Sequence, residues 1–436
     1  MGHGSWVRKT VTLLLAGVLL TTHHLRLTTA FADETAALSL PALLDELKAK
    51  NPHLLAARKQ WEAAQARIPL SKGLPAPRIG VEFEEIPRGT VKLDQANLMF
   101  QLIQSLPFPG KLSLRQQVAV KEAQTAAAAY KQAQWEMQSM LKSAYYDLFL
   151  LDRELELQEE ALLWLRQAAA TAEARYATGS APQAEPLRAQ AELLEAQNAA
   201  QVLSHRRLAM SAHVNHLLNS PAMAPVGSPG DIPLLPVPAS PDELAALAAK
   251  NQPELLAFQF SAERAEAAWK LSKWELLPDL ETMFELRNPA AGPIGPWDLT
   301  LALVLPFWFW TKQSYGVKVA LFDKESAQAA YQGMQNEITR RIHEHWHEAQ
   351  AAHGTAQLCQ ESLIPLAQQA VGSALAAYQG GRGSFMELLD ALRALTERQR
   401  TYYQHLIQLE QHLVMLEQSV GVPLRPLHQE KSKEAS

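Results

Sequence analysis

Apolar residues recur every seven positions through about 68 residues, Lys111 to Thr178, that contain neither Gly nor Pro. Leu141, Leu148, Leu155, Leu162, Ala169 and Tyr176 form one seam. Met137, Ala144, Leu151, Leu165 and Ala172 fill the alternate positions, with Gln158 as the polar member. The pattern predicts one helix over 112–177, roughly 100 Å long at 1.5 Å per residue. Propensity alone does not hold so long a rod, so it needs partner helices along its seam. Near the other end, Leu388, Leu392, Leu395, Tyr402, Leu406, Leu409, Leu413, Leu416 and Val420 follow 4-3 spacing, with Gln399 as the polar exception, and predict a helix over 386–420.

The chain is written twice, at an offset of about 200 residues. Ala49-Lys50-Asn51-Pro52 returns as Ala249-Lys250-Asn251, with Pro253 just after, and Leu106-Pro107-Phe108 returns as Leu305-Pro306-Phe307. Tyr176, Gly179, Glu185 and Leu187 return as Tyr378, Gly381, Glu387 and Leu389. Each half predicts the same order: a helix (39–72, then 241–276), two short strands, a long helix (112–177, then 313–378), and another helix (185–219, then 386–420). Two helices of about 35 residues laid end to end match one of about 67, which suits a wall of one long helix beside two stacked shorter ones. Gly333, Gly354, Pro365 and Gly372 interrupt the second long helix, and a bend is expected near Pro365. A Pro-rich linker, 220–241, separates a first repeat over 33–219 from a second over 242–421, and a tail covers 422–436.

Four segments switch to period two. Ile79, Val81 and Phe83 alternate with Gly80, Glu82 and Glu84; Leu98, Phe100 and Leu102 with Met99, Gln101 and Ile103. Leu280, Phe284 and Leu286 alternate with Glu281, Met283 and Glu285, with Thr282 on the apolar side. Trp297, Leu299, Leu301, Leu303 and Leu305 alternate with Asp298, Thr300, Ala302 and Val304. These predict strands at about 78–86, 97–106, 279–287 and 297–305, each long enough to cross a bilayer when tilted. Phe307-Trp308-Phe309-Trp310 follows the fourth, where an interfacial girdle would sit, with Trp297 as a further interface aromatic. Four strands cannot close a barrel, and open edges are not tolerated in lipid, so spanning strands imply several copies.

Composition adds limits. The formal charge is −5 with basic residues dispersed, which excludes a nucleic-acid surface. Arg8 and Lys9, the apolar run Val11 to Leu20, and Ala30-Phe31-Ala32 read as a cleaved export leader over 1–32. The lone Cys359 can form no internal disulfide and lies far from the mature start, so no lipid-anchoring cysteine stands there. No nucleophile elbow, phosphate loop, dinucleotide fingerprint or metalloprotease motif is present, so no enzyme and no cofactor is expected.

The ordered motifs resemble the TolC family of outer-membrane efflux proteins. The resemblance rests on the duplicated order, on Leu106-Pro107-Phe108-Pro109-Gly110-Lys111, and on two tip motifs: Tyr176-Ala177-Thr178-Gly179 with Glu185-Pro186-Leu187, and Tyr378-Gln379-Gly380-Gly381 with Glu387-Leu388-Leu389. It implies a mainly α homotrimer in which antiparallel coiled-coil helices form a periplasmic α-barrel tunnel. Each chain would give four strands to a shared twelve-stranded outer-membrane β-barrel. The implied partners are a periplasmic adaptor, an inner-membrane RND-type pump and outer-membrane lipid. The implied tip gate falls on Glu185 and Tyr378, with Arg382 as its candidate arginine, and Tyr176, Gly179, Gly381 and Glu387 complete the tips. Here Arg382 directly follows Gly381, and the family's Arg position holds Gly383.

The expected function is a passive duct for substrates delivered by the pump, metal cations or drugs. A protein-secretion duct and a soluble periplasmic coiled-coil scaffold are the alternatives. His343, His345, His347 and His353 cluster on the second long helix; His343 and His347, four apart on one face, are the only metal-ligand candidates, and polar helix surface is the plainer reading.

Overall fold

The computed structural model describes residues 38–84, 97–287 and 295–425. The leader, the 87–95 connection and most of 288–296, and residues 426–436 lie outside the described residues. In chain order the elements are α1 (Leu40–Lys50), α2 (Pro52–Ser71), β1 (Arg78–Glu84), β2 (Asn97–Leu106), α3 (Lys111–Ala177), α4 (Ala184–Leu217), α5 (Pro241–Asn251), α6 (Pro253–Trp274), β3 (Asp279–Arg287), β4 (Trp297–Val304), α7 (Gln313–Leu358), a π-helical turn (Cys359–Leu363), α8 (Ile364–Gln379) and α9 (Phe385–Val420). The 67-residue α3 runs unbroken, as its heptads require. No helix among the described residues is long and apolar enough to cross a membrane.

The first helix of each repeat departs from expectation, because both are broken in two. Asn51 is extended at ψ 122° ahead of Pro52, and Gln252 at ψ 116° ahead of Pro253. Proline excludes the helical conformation from the residue before it, then starts a new helix well, since its missing N–H needs no partner there. Each break is sealed by an amide side chain. Asn51 Oδ1 accepts from the His53 and Leu54 N–H groups while its Nδ2 donates to the Leu217 carbonyl at 2.8 Å. The Gln252 side chain accepts from Leu255 N–H at 2.8 Å.

The expected bend at Pro365 takes the form of the five-residue π turn just before it. A proline ring clashes with the carbonyl four residues back, here Glu361, and widening the turn relieves that clash.

The repeats build matching cores. Leu43, Leu44 and Leu47 of α1 pack with Leu141 and Ala144 of α3 and Val214 and Leu217 of α4. In the second repeat Leu244 and Ala248 of α5 pack with Ile338, Ile342 and Ala349 of α7 and Leu409, Leu413 and Leu416 of α9. Phe149 of α3 joins the halves by packing on Leu406 and Ile407 of α9. Beside the sheet the helices neighbour one another in the order α2, α3, α6, α7; toward the far end the order is α4, α3, α9, α8.

Candidate functional site: a two-faced sheet and a helical tip

The four strands form one antiparallel sheet in the order β1-β2-β3-β4, with β1 and β4 at its edges. Its register places Ile79 opposite Leu102, Leu102 opposite Phe284 and Phe284 opposite Leu299. The next apolar row runs Val81, Phe100, Leu286, Trp297. Period-two alternation therefore turns four separate stripes into one continuous apolar face. That face is open: Ile79 is 79% exposed, Leu301 and Leu303 65% each. Burying it in water-excluding surroundings would gain about 25 cal/mol per Å².

The opposite face is mostly polar and cross-linked. Gln101 Nε2 donates to both Glu82 and Glu285, joining three strands. Arg287 pairs with Asp298 at 2.7 Å, and Arg78 reaches Glu281 at 3.3 Å. Glu82, Glu84, Glu281, Glu285 and Asp298 outweigh Arg78 and Arg287 there, so the face is net negative.

Where β2 turns into α3, Gly110 adopts φ +103°, and a Cβ on it would meet the Trp274 ring at 2.4 Å. Only glycine fits so close an approach in that backbone region. Next to it the buried Lys111 donates to the Leu277 carbonyl at 2.8 Å and to Asp279 Oδ1 at 2.7 Å, and Asp279 also accepts from Phe108 N–H. This corner fixes the sheet to the rods. The aromatics fall at both ends of β4: Trp297 begins it and stacks on Phe284, whereas exposed Phe307, Trp308, Phe309 and Trp310 follow its end. The eight residues of β4 span roughly 25 Å along the strand, enough for a tilted strand to cross the apolar band of a membrane barrel.

At the far end, α3 and α8 finish alike. Gly179 has φ +73° and Gly381 φ +71°. Ser180 N–H returns to the Arg175 carbonyl at 2.8 Å, and Arg382 N–H to the Ala377 carbonyl at 2.9 Å. These are left-handed glycine helix ends. The side chains, however, do not follow the repeat. Tyr378 is 1% exposed, and its hydroxyl donates to Glu185 Oε1 at 2.7 Å. Burial, reinforced by the Glu185 carboxylate, pushes the Tyr378 phenol up to about 12, so it stays a neutral donor. Its counterpart Tyr176 is 47% exposed, and Glu387 is used locally, in a reciprocal capping box with Ser384 at 3.0 and 3.2 Å.

The structure thus brings Glu185 and Tyr378 together and leaves Tyr176, Arg382 and Glu387 outside that contact. The residue missed from sequence is Arg175. Its guanidinium stands 4.8 Å over the Tyr378 ring, with Nη1 3.8 Å from Glu185 Oε1. The one available signal was that Arg175 has no basic equivalent in the second repeat, where Ala377 stands.

His343 and His347 lie side by side with ring centroids 6.4 Å apart, and no third His, Cys, Asp or Glu joins them among the described residues. The inter-helical histidines are another pair: His345 of α7 faces His412 of α9 at 5.7 Å. Burial lowers both from 6.5; the His412 charge and Arg340 and Arg341 push His345 further down against Glu344, whereas Glu344 and Glu348 oppose the shift at His412. The folded state therefore favours neutral rings. As pH falls through 6.5 the unfolded chain takes protons first, and stability drops until the folded rings titrate too. The thermal midpoint of the purified protein should be lower at pH 5.5 than at 7.5, and His345→Gln with His412→Gln should flatten that dependence.

Antiparallel rods written twice, topped by a sheet with one apolar and one charged face, define a channel-forming outer-membrane protein. The chain belongs to the outer membrane efflux protein family, whose defining sequence pattern matches residues 43–220 and 244–422, one match per repeat. It is 22% identical over 397 residues to the cobalt-zinc-cadmium resistance protein CzcC of Cupriavidus metallidurans, covering 90% of this chain and 92% of that protein. Among solved structures, the outer membrane protein VceC from Vibrio cholerae matches with a TM-score of 0.76 at 17% identity, covering 88% of this chain and 97% of that one. CusC matches with a TM-score of 0.77 at 16% identity, covering 88% and 92%. The resemblance read from the motifs is borne out, and the protein is an outer-membrane efflux channel component.

Proposed function

We propose that three copies of this chain close into a passive duct that a periplasmic adaptor joins to an RND-type inner-membrane pump. The observation that carries this reading is the sheet with one open apolar face and two edges that are unpaired among the described residues. In lipid every backbone group needs a partner, so β4 must meet the β1 of a neighbour. The helix order supports the same join: α2 and α4 flank the β1 side, α7 and α8 the β4 side. On α4, Leu187, Leu194, Val202 and Leu208 form an exposed apolar stripe, and on α7 Tyr315, Val319 and Phe322 form another. Different surfaces meeting head to tail give a ring when the rotation closes. The apolar face then meets lipid, and the net-negative face lines the lumen.

The cargo we propose is divalent metal cations. Two things support it: the relative's name, a cobalt-zinc-cadmium resistance protein, and the carboxylates that tilt the lumen toward cations. At the tip, the Glu185–Tyr378 contact ties the α4 start to the α8 end and holds the entrance closed. Outer-membrane fractions should yield SDS-resistant trimers, and the purified channel in planar bilayers should prefer cations. Glu185→Ala and Tyr378→Phe should raise its leak conductance several-fold. A detergent-free monodisperse monomer would support the scaffold alternative instead, and unchanged leak in both variants would remove the gate.

A further inference from the structure

We infer that Arg175, and not Arg382, is the arginine that holds the tip closed, acting inside one protomer. The inference rests on the gate reading above and names its charged member. Three elements meet at this point: the last turn of α3 brings Arg175, the first turn of α4 brings Glu185, and the last turn of α8 brings Tyr378. Tyr378 packs beneath against Phe385 at 6.2 Å and donates its hydroxyl to Glu185 at 2.7 Å. The Arg175 guanidinium covers the ring from the α3 side at 4.8 Å, and its Nη1 is buried, 3.8 Å from Glu185 Oε1, with no hydrogen-bond partner of its own. That buried nitrogen faces the Glu185 charge and lies beside the Tyr378 ring, the two groups that favour a cation there.

Arg382 has none of these contacts. It is exposed, with no carboxylate partner among the described residues, and its backbone N–H serves the helix end. The duplication makes the assignment sharper. Tyr176 and Glu387 repeat Tyr378 and Glu185, yet they do not pair, and the position equivalent to Arg175 is Ala377. The Ala377 carbonyl accepts from Gly383 N–H at 2.9 Å, and a Cβ added to Gly383 would stand 3.0 Å from the Ala377 methyl. The second repeat therefore has a methyl where the first has Arg175, and that position offers no cation to a Tyr–Glu pair.

Charge favours the same arrangement. Bare Glu185 carboxylates from several copies around an axis would repel one another in a low-dielectric constriction. An arginine in the same protomer neutralises each carboxylate before the copies meet. Opening then requires only that α3, α4 and α8 of one protomer part.

The test is the closed-state leak of the purified channel in planar bilayers, for wild type, Arg175→Ala, Arg175→Lys, Arg382→Ala, Glu185→Ala and Tyr378→Phe. SDS-resistant assembly is checked for each variant. Arg175→Ala should raise open occupancy at least about fivefold, the lower end of a typical coupling between states. Arg175→Lys should fall between, because it keeps the charge and loses the planar stacking. Arg382→Ala should match wild type, and Arg175→Ala combined with Tyr378→Phe should leak no more than Tyr378→Phe alone, since both dismantle one unit. Wild-type leak in Arg175→Ala and Arg175→Lys while Glu185→Ala and Tyr378→Phe open would overturn the inference and leave the gate intact. An Arg382→Ala leak equal to that of Arg175→Ala would overturn it as well. Wild-type leak in all the variants would end the gate reading itself.

Discussion

Replacing Lys142 with Met should destabilise the helical body by about 3–5 kcal/mol, the usual cost of stranding one charge of a buried pair. Lys142 of α3 is 8% exposed and pairs with Glu417 of α9, itself 5% exposed. Around them lies a closed network. Glu417 also accepts from Leu424 N–H at 3.0 Å; Glu410 pairs with Arg425 and accepts from the Tyr146 hydroxyl at 3.3 Å; Arg425 donates to the Leu235 carbonyl at 2.7 Å. Two carboxylates and two cations balance, although burial still pushes the Glu410 carboxyl up against the pull of Arg425. The network borders a cavity of about 440 Å³ lined by α1, α3, the linker and α9. It ties the linker and the segment just after α9 to the seam between repeats. Removing Lys142 leaves Glu417 charged in the interior. Glu417→Gln in the Lys142→Met background should recover at least half of the loss, because the amide keeps the acceptor for Leu424 and drops the charge. Denaturant unfolding in detergent measures both; equal stability of Lys142→Met and wild type would mean that water reaches the pair.

Placing Arg at Leu102 should cost about 2–4 kcal/mol per chain, the penalty for a cation at the lipid-facing middle of a membrane barrel. Leu102 stands between Ile79 and Phe284 in the central apolar row. Thr300→Arg on the charged face should cost less than about 1 kcal/mol and shift ion preference toward anions. The yield of SDS-resistant trimer and the reversal potential read the two effects. Equal losses from the two arginines would contradict the assignment of faces.

Much of this architecture could be read from residue order. The α3 heptads marked a rod that needed partners, and the structure supplies α2, α4, α6 and α9 around it. Period-two alternation marked four strands with one apolar face each. The duplication foretold paired cores, seen in the matching sets around Leu141 and Ile342. The helix breaks at Asn51 and Gln252 fall at X-Pro steps that the sequence displays within its repeated motif. Local backbone chemistry there outweighed the apolar pattern that runs through both sides.

The tip was half legible. Repeated Tyr, Gly and Glu marked two equivalent ends, and among the tip residues only Arg175, matched by Ala377, set them apart. Folding makes them differ, burying Tyr378 under Arg175 and leaving Tyr176 in the open. Lys142 and Glu417, 275 positions apart, carried no signal at all.

The sequence by itself determined which stretches are rods, which are strands, which face of each is apolar, and that the unit occurs twice, because those properties follow from local periodicity and from backbone limits at Pro and Gly. Only the tertiary structure decided which charges share an interior and which of two repeated motifs closes on its partner. Those outcomes depend on distances between residues far apart in the chain, and low-dielectric surroundings make such distances decisive.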